Sequence, residues 1–163
     1  MEIKVINQRK FQILENHKII LELSYPKWWS NNAEFRYLGK QFEIKAKGFW
    51  QNNFIITSNH REIGNIKLNW KQDAVISLKS KEKPYQLEQE TIWHSKYLVK
   101  SGENEILRIH AESNWRKFHP DFLLHIENNE ENEDLNLLIA ISTFLINNRL
   151  QAAAAAHSLG TPL

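Results

Sequence analysis

The chain repeats itself. Shifted by 43 residues, Phe11-Gln12-Ile13 falls on Phe54-Ile55-Ile56, Asn16-His17 on Asn59-His60, Lys18 on Arg61 and Ile20 on Ile63. Five of the thirteen positions in 11–23 are identical to those in 54–66. A second shift of 43 sets Phe54 on Tyr97, Ile63 on Ile106, Ile66 on Ile109 and Trp50 on Trp93. Trp28, Trp70 and Trp115 close the three units and keep step within a few residues. Three registers at one period predict a single supersecondary unit used three times.

Each unit reads as β-strands. In the stretch "REIGNIKLNW", Ile66, Leu68 and Trp70 share one parity, and Lys67, Asn69 and Lys71 take the other. That period of two marks a sheet with one dry face. Phe42, Ile44 and Ala46 oppose Glu43, Lys45 and Lys47 in the same way. Polar clusters at Asn16-His17, Gly39-Lys40, Asn52-Asn53, Asn59-His60 and Ser101-Gly102 supply the turns. The pattern predicts about twelve strands, near 2–7, 10–15, 18–25, 33–38, 41–48, 53–58, 61–69, 73–79, 84–89, 91–100, 105–111 and 121–127. So many short antiparallel strands predict a mainly β fold, a barrel or a sandwich. Isolated Gly64 predicts a bulge or crowded packing.

The chain then changes character. "ENNEENED" is an acidic linker, and "LNLLIAISTFLINNRLQAAAAA" loses the period of two. Good helix formers fill its second half, and Asn132 can cap its start with Glu133 and Asp134 at the positive end of the dipole. The segment predicts a helix at about 133–156, followed by a tail at 157–163. Its apolar residues point all round the axis, so it must be buried in protein or in lipid. The apolar core from Leu135 to Ile146 is about 18 Å long at ~1.5 Å per residue, short of the ~30 Å of a bilayer. A twelve-stranded barrel is too wide to fill with its own side chains. Residues 1–156 read as one domain, and if its antiparallel strands form a barrel, the apolar C-terminal helix fits the need to fill the lumen.

The 163 residues include no cysteine, which excludes disulfides and thiolate metal sites. The N-terminus lacks the basic start and apolar run of a signal peptide, so the expected location is cytoplasmic. The net charge of +2 hides an asymmetry. Residues 127–163 hold five acids and one base, which leaves +6 on the body. His110, His119 and His125 lie nine and six apart and form no helical zinc pair, so neither a metal nor a cofactor is expected. No phosphate-cradling glycine loop or nucleophile elbow appears, and the chain does not read as an enzyme. If the tryptophans face inward, Lys45, Lys47, Lys67, Lys71, Arg116 and Lys117 face outward as a candidate anion patch. Glu43, Glu62 and Asp73 are interleaved and dilute the field, which argues against nucleic acid as the partner.

The repeated "KGFW…IG.IKLNW" and "IW…IL.I…NWRKF" units and the closing "LLIAISTFLI" helix resemble the tubby C-terminal-like superfamily. That superfamily includes phospholipid scramblases and LURP-one-related proteins, and the resemblance lies closest to small bacterial members. It spans nearly the whole chain. It implies a closed twelve-stranded barrel around a central helix. It also suggests an anionic lipid headgroup or a protein as the partner, with a location peripheral to the inner face of the membrane. No headgroup-binding residue of the superfamily carries over one by one. The expected function is a non-catalytic binding or scaffold domain. The alternative is a scramblase-like lipid-translocating protein that uses the C-terminal helix as a membrane insert.

Overall fold

The computed structural model describes residues 1–27, 31–48, 52–69, 73–91, 95–112, 121–127 and 132–158. Twelve strands run in chain order: β1 (Glu2–Asn7), β2 (Lys10–Glu15), β3 (Lys18–Ser24), β4 (Ala33–Tyr37), β5 (Lys40–Ala46), β6 (Asn53–Ser58), β7 (Arg61–Leu68), β8 (Ala74–Leu78), β9 (Tyr85–Thr91), β10 (Lys96–Ser101), β11 (Asn104–Glu112) and β12 (Asp121–Ile126). One helix, α1 (Asn132–Ser158), follows. Every strand pairs antiparallel with its neighbours in sequence, and β1 closes on β12 through Ile3 and Phe122. The result is a closed up-and-down barrel, which leaves no free edge along the ring.

The repeat is built into the backbone. β2, β6 and β10 begin at Lys10, Asn53 and Lys96, 43 residues apart. Each is followed by a tight turn and then by a bulge at the same place. Ile13 pairs with Leu21 while Leu14 pairs with Ile19, so Ile20 is the extra residue. Ile63 is extra in the second unit and Ile106 in the third, again at steps of 43. A bulge lets two successive side chains approach the same face. Ile106 and Leu107 are accordingly both buried, and Ile20 and Ile63 pack against the core. Phe11, Phe54 and Tyr97, the matching residues of β2, β6 and β10, are also buried.

The helix fills the lumen. Leu135 to Asn147 are buried without interruption, Asn148 to Leu150 are half-buried, and Gln151 to Ala155 are exposed. Thirteen buried residues cover about 20 Å at ~1.5 Å each, close to the length of a six-residue strand at ~3.3 Å per residue. The buried segment therefore matches the height of the wall. Hydrogen bonds fix its direction. At the end that carries the β2–β3, β4–β5, β6–β7 and β10–β11 turns, Asn136 donates from Nδ2 to the Tyr37 hydroxyl at 2.8 Å, and Asp134 pairs with Lys81 at 2.7 Å. At the opposite end, Asn147 and Gln151 donate to the Gln8 carbonyl at 3.3 and 3.0 Å. Arg149 sits over the Tyr97 ring there, 5.9 Å from its centroid. The stretch Asp134–Ala155 is long and apolar enough to cross a membrane, yet 61% of its most apolar window is buried inside the protein.

The helix starts one residue before the expected span and ends two residues beyond it. The side chains of Asn132 and Glu133, the expected cap, lie outside the described residues, as do the six tryptophans. Gly64 combines both features expected of it. It follows the Ile63 bulge, and a Cβ on it would stand 2.5 Å from the Ser77 carbonyl oxygen.

Candidate functional site: the basic outer face

Three of the six candidate cations share one surface. Strands β5, β6 and β7 turn Phe42, Ile44, Phe54, Ile56 and Ile66 into the lumen. The alternation of strand side chains then sends Lys45, Lys47 and Lys67 outward, and all three are exposed. Register brings them together. The Lys47 amide donates to the Asn53 carbonyl at 2.7 Å, and Asn53 pairs with Lys67 across β6 and β7. Lys47 and Lys67 thus flank Asn53 in one row, about 10 Å apart at ~4.8 Å per strand. Lys45 stands two residues further along β5 from Lys47. Lys71, Arg116 and Lys117 lie outside the described residues.

The three cations are not equivalent. Lys45 pairs with Glu43 at 2.5 Å, and Thr57 donates a long 3.5 Å hydrogen bond to the same carboxylate. The Lys45 ammonium is the main reason the Glu43 carboxyl sits below the usual carboxylate range. The Lys45 charge is therefore already answered within its own strand. Lys47 and Lys67 carry the outward field of this face.

The far side of the barrel has the opposite character. Arg108 on β11 meets Glu90, Glu105 and Glu127 at 3.5, 2.6 and 3.5 Å. These three carboxylates, Glu105 first among them, hold the half-buried Arg108 guanidinium charged beyond its ordinary range. His125 pairs with Glu127 at 3.5 Å and His110 with Glu112 at 3.7 Å. Among the described residues of this face acidic groups outnumber basic ones, so their field favours an anion on the β5–β7 side instead. The alternating Glu and Arg of "ENEILRIH" was the available signal for this cluster. His17 and His60 occupy matching turns with φ of 63° and 67°. Among the described residues, no group of three or more His, Cys, Asp or Glu side chains is arranged to hold a metal ion.

Compared with family models, with curated proteins and with solved structures, the chain matches none.

Proposed function

We propose that the protein is a non-catalytic binding module of the tubby-like kind. Its outer face around Lys47 and Lys67 engages anionic lipid headgroups at the inner surface of a membrane. The observation that carries this reading is the shared row of Lys47, Asn53 and Lys67 on the outward side of β5–β7. Lys47 and Lys67 rise from backbone positions about 10 Å apart at ~4.8 Å per strand, so both long side chains reach out toward one anionic surface. The enclosed helix supports the module over the alternative of a lipid-translocating insert. Leaving the lumen would strip the core of Leu138, Ile139, Ile141 and Phe144, all fully buried.

Vesicle flotation tests the reading. The protein is expected to float with vesicles containing phosphatidylserine or a phosphoinositide and to remain behind with neutral vesicles. Binding should weaken as salt rises, because exposed charges are screened within about 8 Å at physiological ionic strength. Lys47→Glu with Lys67→Glu should abolish flotation, and Lys71→Glu and Arg116→Glu extend the same assay to the remaining candidates. Lys45→Glu should do less than either described partner, since Glu43 already neutralises Lys45. Failure to float with anionic vesicles, or flotation unaltered by the double charge reversal, removes the proposal.

A further inference from the structure

Four cations ring one end of the barrel with no carboxylate to answer them. Lys27, Lys47, Lys67 and Lys96 are exposed and make no ion pair among the described residues. Lys27 and Lys47 lie just past the ends of β3 and β5, Lys67 is the last residue but one of β7, and Lys96 opens β10. All four stand at the end where α1 leaves the lumen, marked by the bond from Gln151 to the Gln8 carbonyl. Arg9 at the same end donates to the Tyr25 carbonyl, a neutral partner, so its charge adds to theirs. Facing these five are the charges of Glu34, Asp73 and Glu112, since Glu90 is engaged by Arg108. At the opposite end Lys18, Arg61 and Lys83 are also without ion pairs, but they stand among the exposed Glu2, Glu15, Glu82 and Glu103. Among the described side chains, the end from which α1 emerges is therefore the positive one.

The four lysines surround the ring instead of lining one wall. β3 and β10, which carry the outermost two, lie nearly opposite each other in the closed order of strands. A flat surface laid against the wall meets only a few neighbouring strands, so β5–β7 alone would leave Lys27 and Lys96 unused. The plane of this end meets all four. At its centre α1 projects, with Gln151 to Ala155 exposed and uncharged. Five helical residues extend about 7 Å at ~1.5 Å each. That is comparable to the ~5–10 Å that an apolar element occupies at the boundary between headgroups and acyl chains. Ile6 on the neighbouring rim of β1 is 41% exposed.

We propose that the barrel meets an anionic membrane end-on, with the end from which α1 emerges against the lipid. Lys27 and Lys96 then join Lys47 and Lys67 on the headgroups, and the uncharged turn from Ala152 to Ala155 lies between them. Cations spread around a circumference suit a laterally mobile array of anions, because each headgroup can move to the cation it meets. The proposal rests on the lipid-binding reading above and adds the orientation and two further contacts.

The chain has no cysteine, so single cysteines carrying a polarity-sensitive dye can report each surface separately. Asn52→Cys, Ser95→Cys and Ala153→Cys sample the proposed end, Ile55→Cys the outer wall of β6, and Asn104→Cys the opposite end. With phosphatidylcholine vesicles containing phosphatidylserine, blue-shifted emission is expected from the first three labels and from neither of the others. Vesicles of phosphatidylcholine alone should shift none. Lys27→Ala and Lys96→Ala should each weaken binding to the anionic vesicles about fivefold, the usual share of one cation at such a surface. Thermal melts confirm that each variant is folded. A shift at Ile55→Cys with none at Ser95→Cys means docking on the wall of β5–β7, which overturns the end-on orientation and leaves the lipid-binding reading standing. Binding indifferent to both Lys27→Ala and Lys96→Ala overturns the orientation equally. No shift at any label, in a protein that also fails to float, removes both.

Discussion

Tyr25 and Phe144 join the barrel to its plug in two ways at once. The Tyr25 hydroxyl donates a 3.1 Å hydrogen bond to the Phe144 carbonyl oxygen, across 119 residues of sequence. Their rings stack 5.8 Å apart. Phe54 meets the same Phe144 ring edge-on at 5.3 Å, and Arg9 donates to the Tyr25 carbonyl at 2.7 Å. The end of β3, the start of β6 and the last buried turns of α1 are thus locked at one level of the lumen.

Tyr25→Phe removes only the hydroxyl and should cost about 1 kcal/mol, the usual net worth of one hydrogen bond. Tyr25→Ala also loses the ring and should cost about 3–5 kcal/mol. Urea unfolding curves measure both. If the two variants were equally stable, Tyr25 would not be the packed pin described.

Alkaline pH should unfold the protein through the same residue. Burial is the main cause that pushes the Tyr25 hydroxyl far above its ordinary value near 10. Burial raises Tyr97 as well, and Arg149 opposes the shift there. Above pH ~10 the unfolded chain releases these protons while the folded chain keeps them, so the unfolded state binds fewer and stability falls as pH rises. Below that pH the contribution is fully present. The midpoint of urea unfolding should hold steady from pH 7 to about 9.5 and then drop, and Tyr25→Phe should flatten the drop. An unchanged slope in that variant would assign the effect elsewhere.

Gly64→Ala should destabilise by about 1–3 kcal/mol through overpacking. The added Cβ would meet the Ser77 carbonyl oxygen at 2.5 Å, a backbone atom held in the β7–β8 ladder. Gly64 has no positive φ, so the cost is steric rather than conformational. Asn65→Ala, one residue on and facing outward, is the control and should change little. A neutral Gly64→Ala would mean that β8 yields easily at this point.

Leu38 offers the opposite sign. It sits in the β4–β5 turn with φ of 49°, and 64% of it is exposed. Left-handed backbone costs a branched side chain about 1–2 kcal/mol, and so exposed a leucine recovers little by burial. Leu38→Asn should therefore raise the melting temperature by a few degrees. A lower value would show that Leu38 makes contacts worth more than its backbone strain.

Much of this fold is legible in the sequence because two periods are written over each other. The period of two placed the strands, and the period of 43 placed Asn16-His17 and Asn59-His60 in matching turns. The repeated isoleucines Ile20, Ile63 and Ile106 were visible as identities, but not as bulges. A bulge is a fact about the partner strand, and no single strand shows it. The helix reads as apolar on every side, which demands enclosure and implies the closed ring. The candidate site was less legible. Parity put Lys45, Lys47 and Lys67 outward, but their row depends on register across β5–β7, and the Glu43 pair that silences Lys45 depends on side-chain conformation.

The plug itself contains a removable cost. Ser142 is fully buried in the middle of α1, and its hydroxyl has no hydrogen-bond partner among the described residues. Its neighbour Thr143 is equally buried, but that hydroxyl donates to the Ile139 carbonyl at 2.7 Å. A buried polar group without a partner keeps its full desolvation penalty, about 1–3 kcal/mol. Alanine has the higher helix propensity and removes the hydroxyl without opening a cavity larger than one oxygen atom. Ser142→Ala should therefore stabilise the protein by about 1 kcal/mol, and Thr143→Ala should destabilise it by a similar amount, because it loses a made bond and a methyl group. Paired urea melts read the two signs directly. If Ser142→Ala proved destabilising, its hydroxyl would have to be engaged inside the lumen, and the plug would be held by one more polar contact than those described.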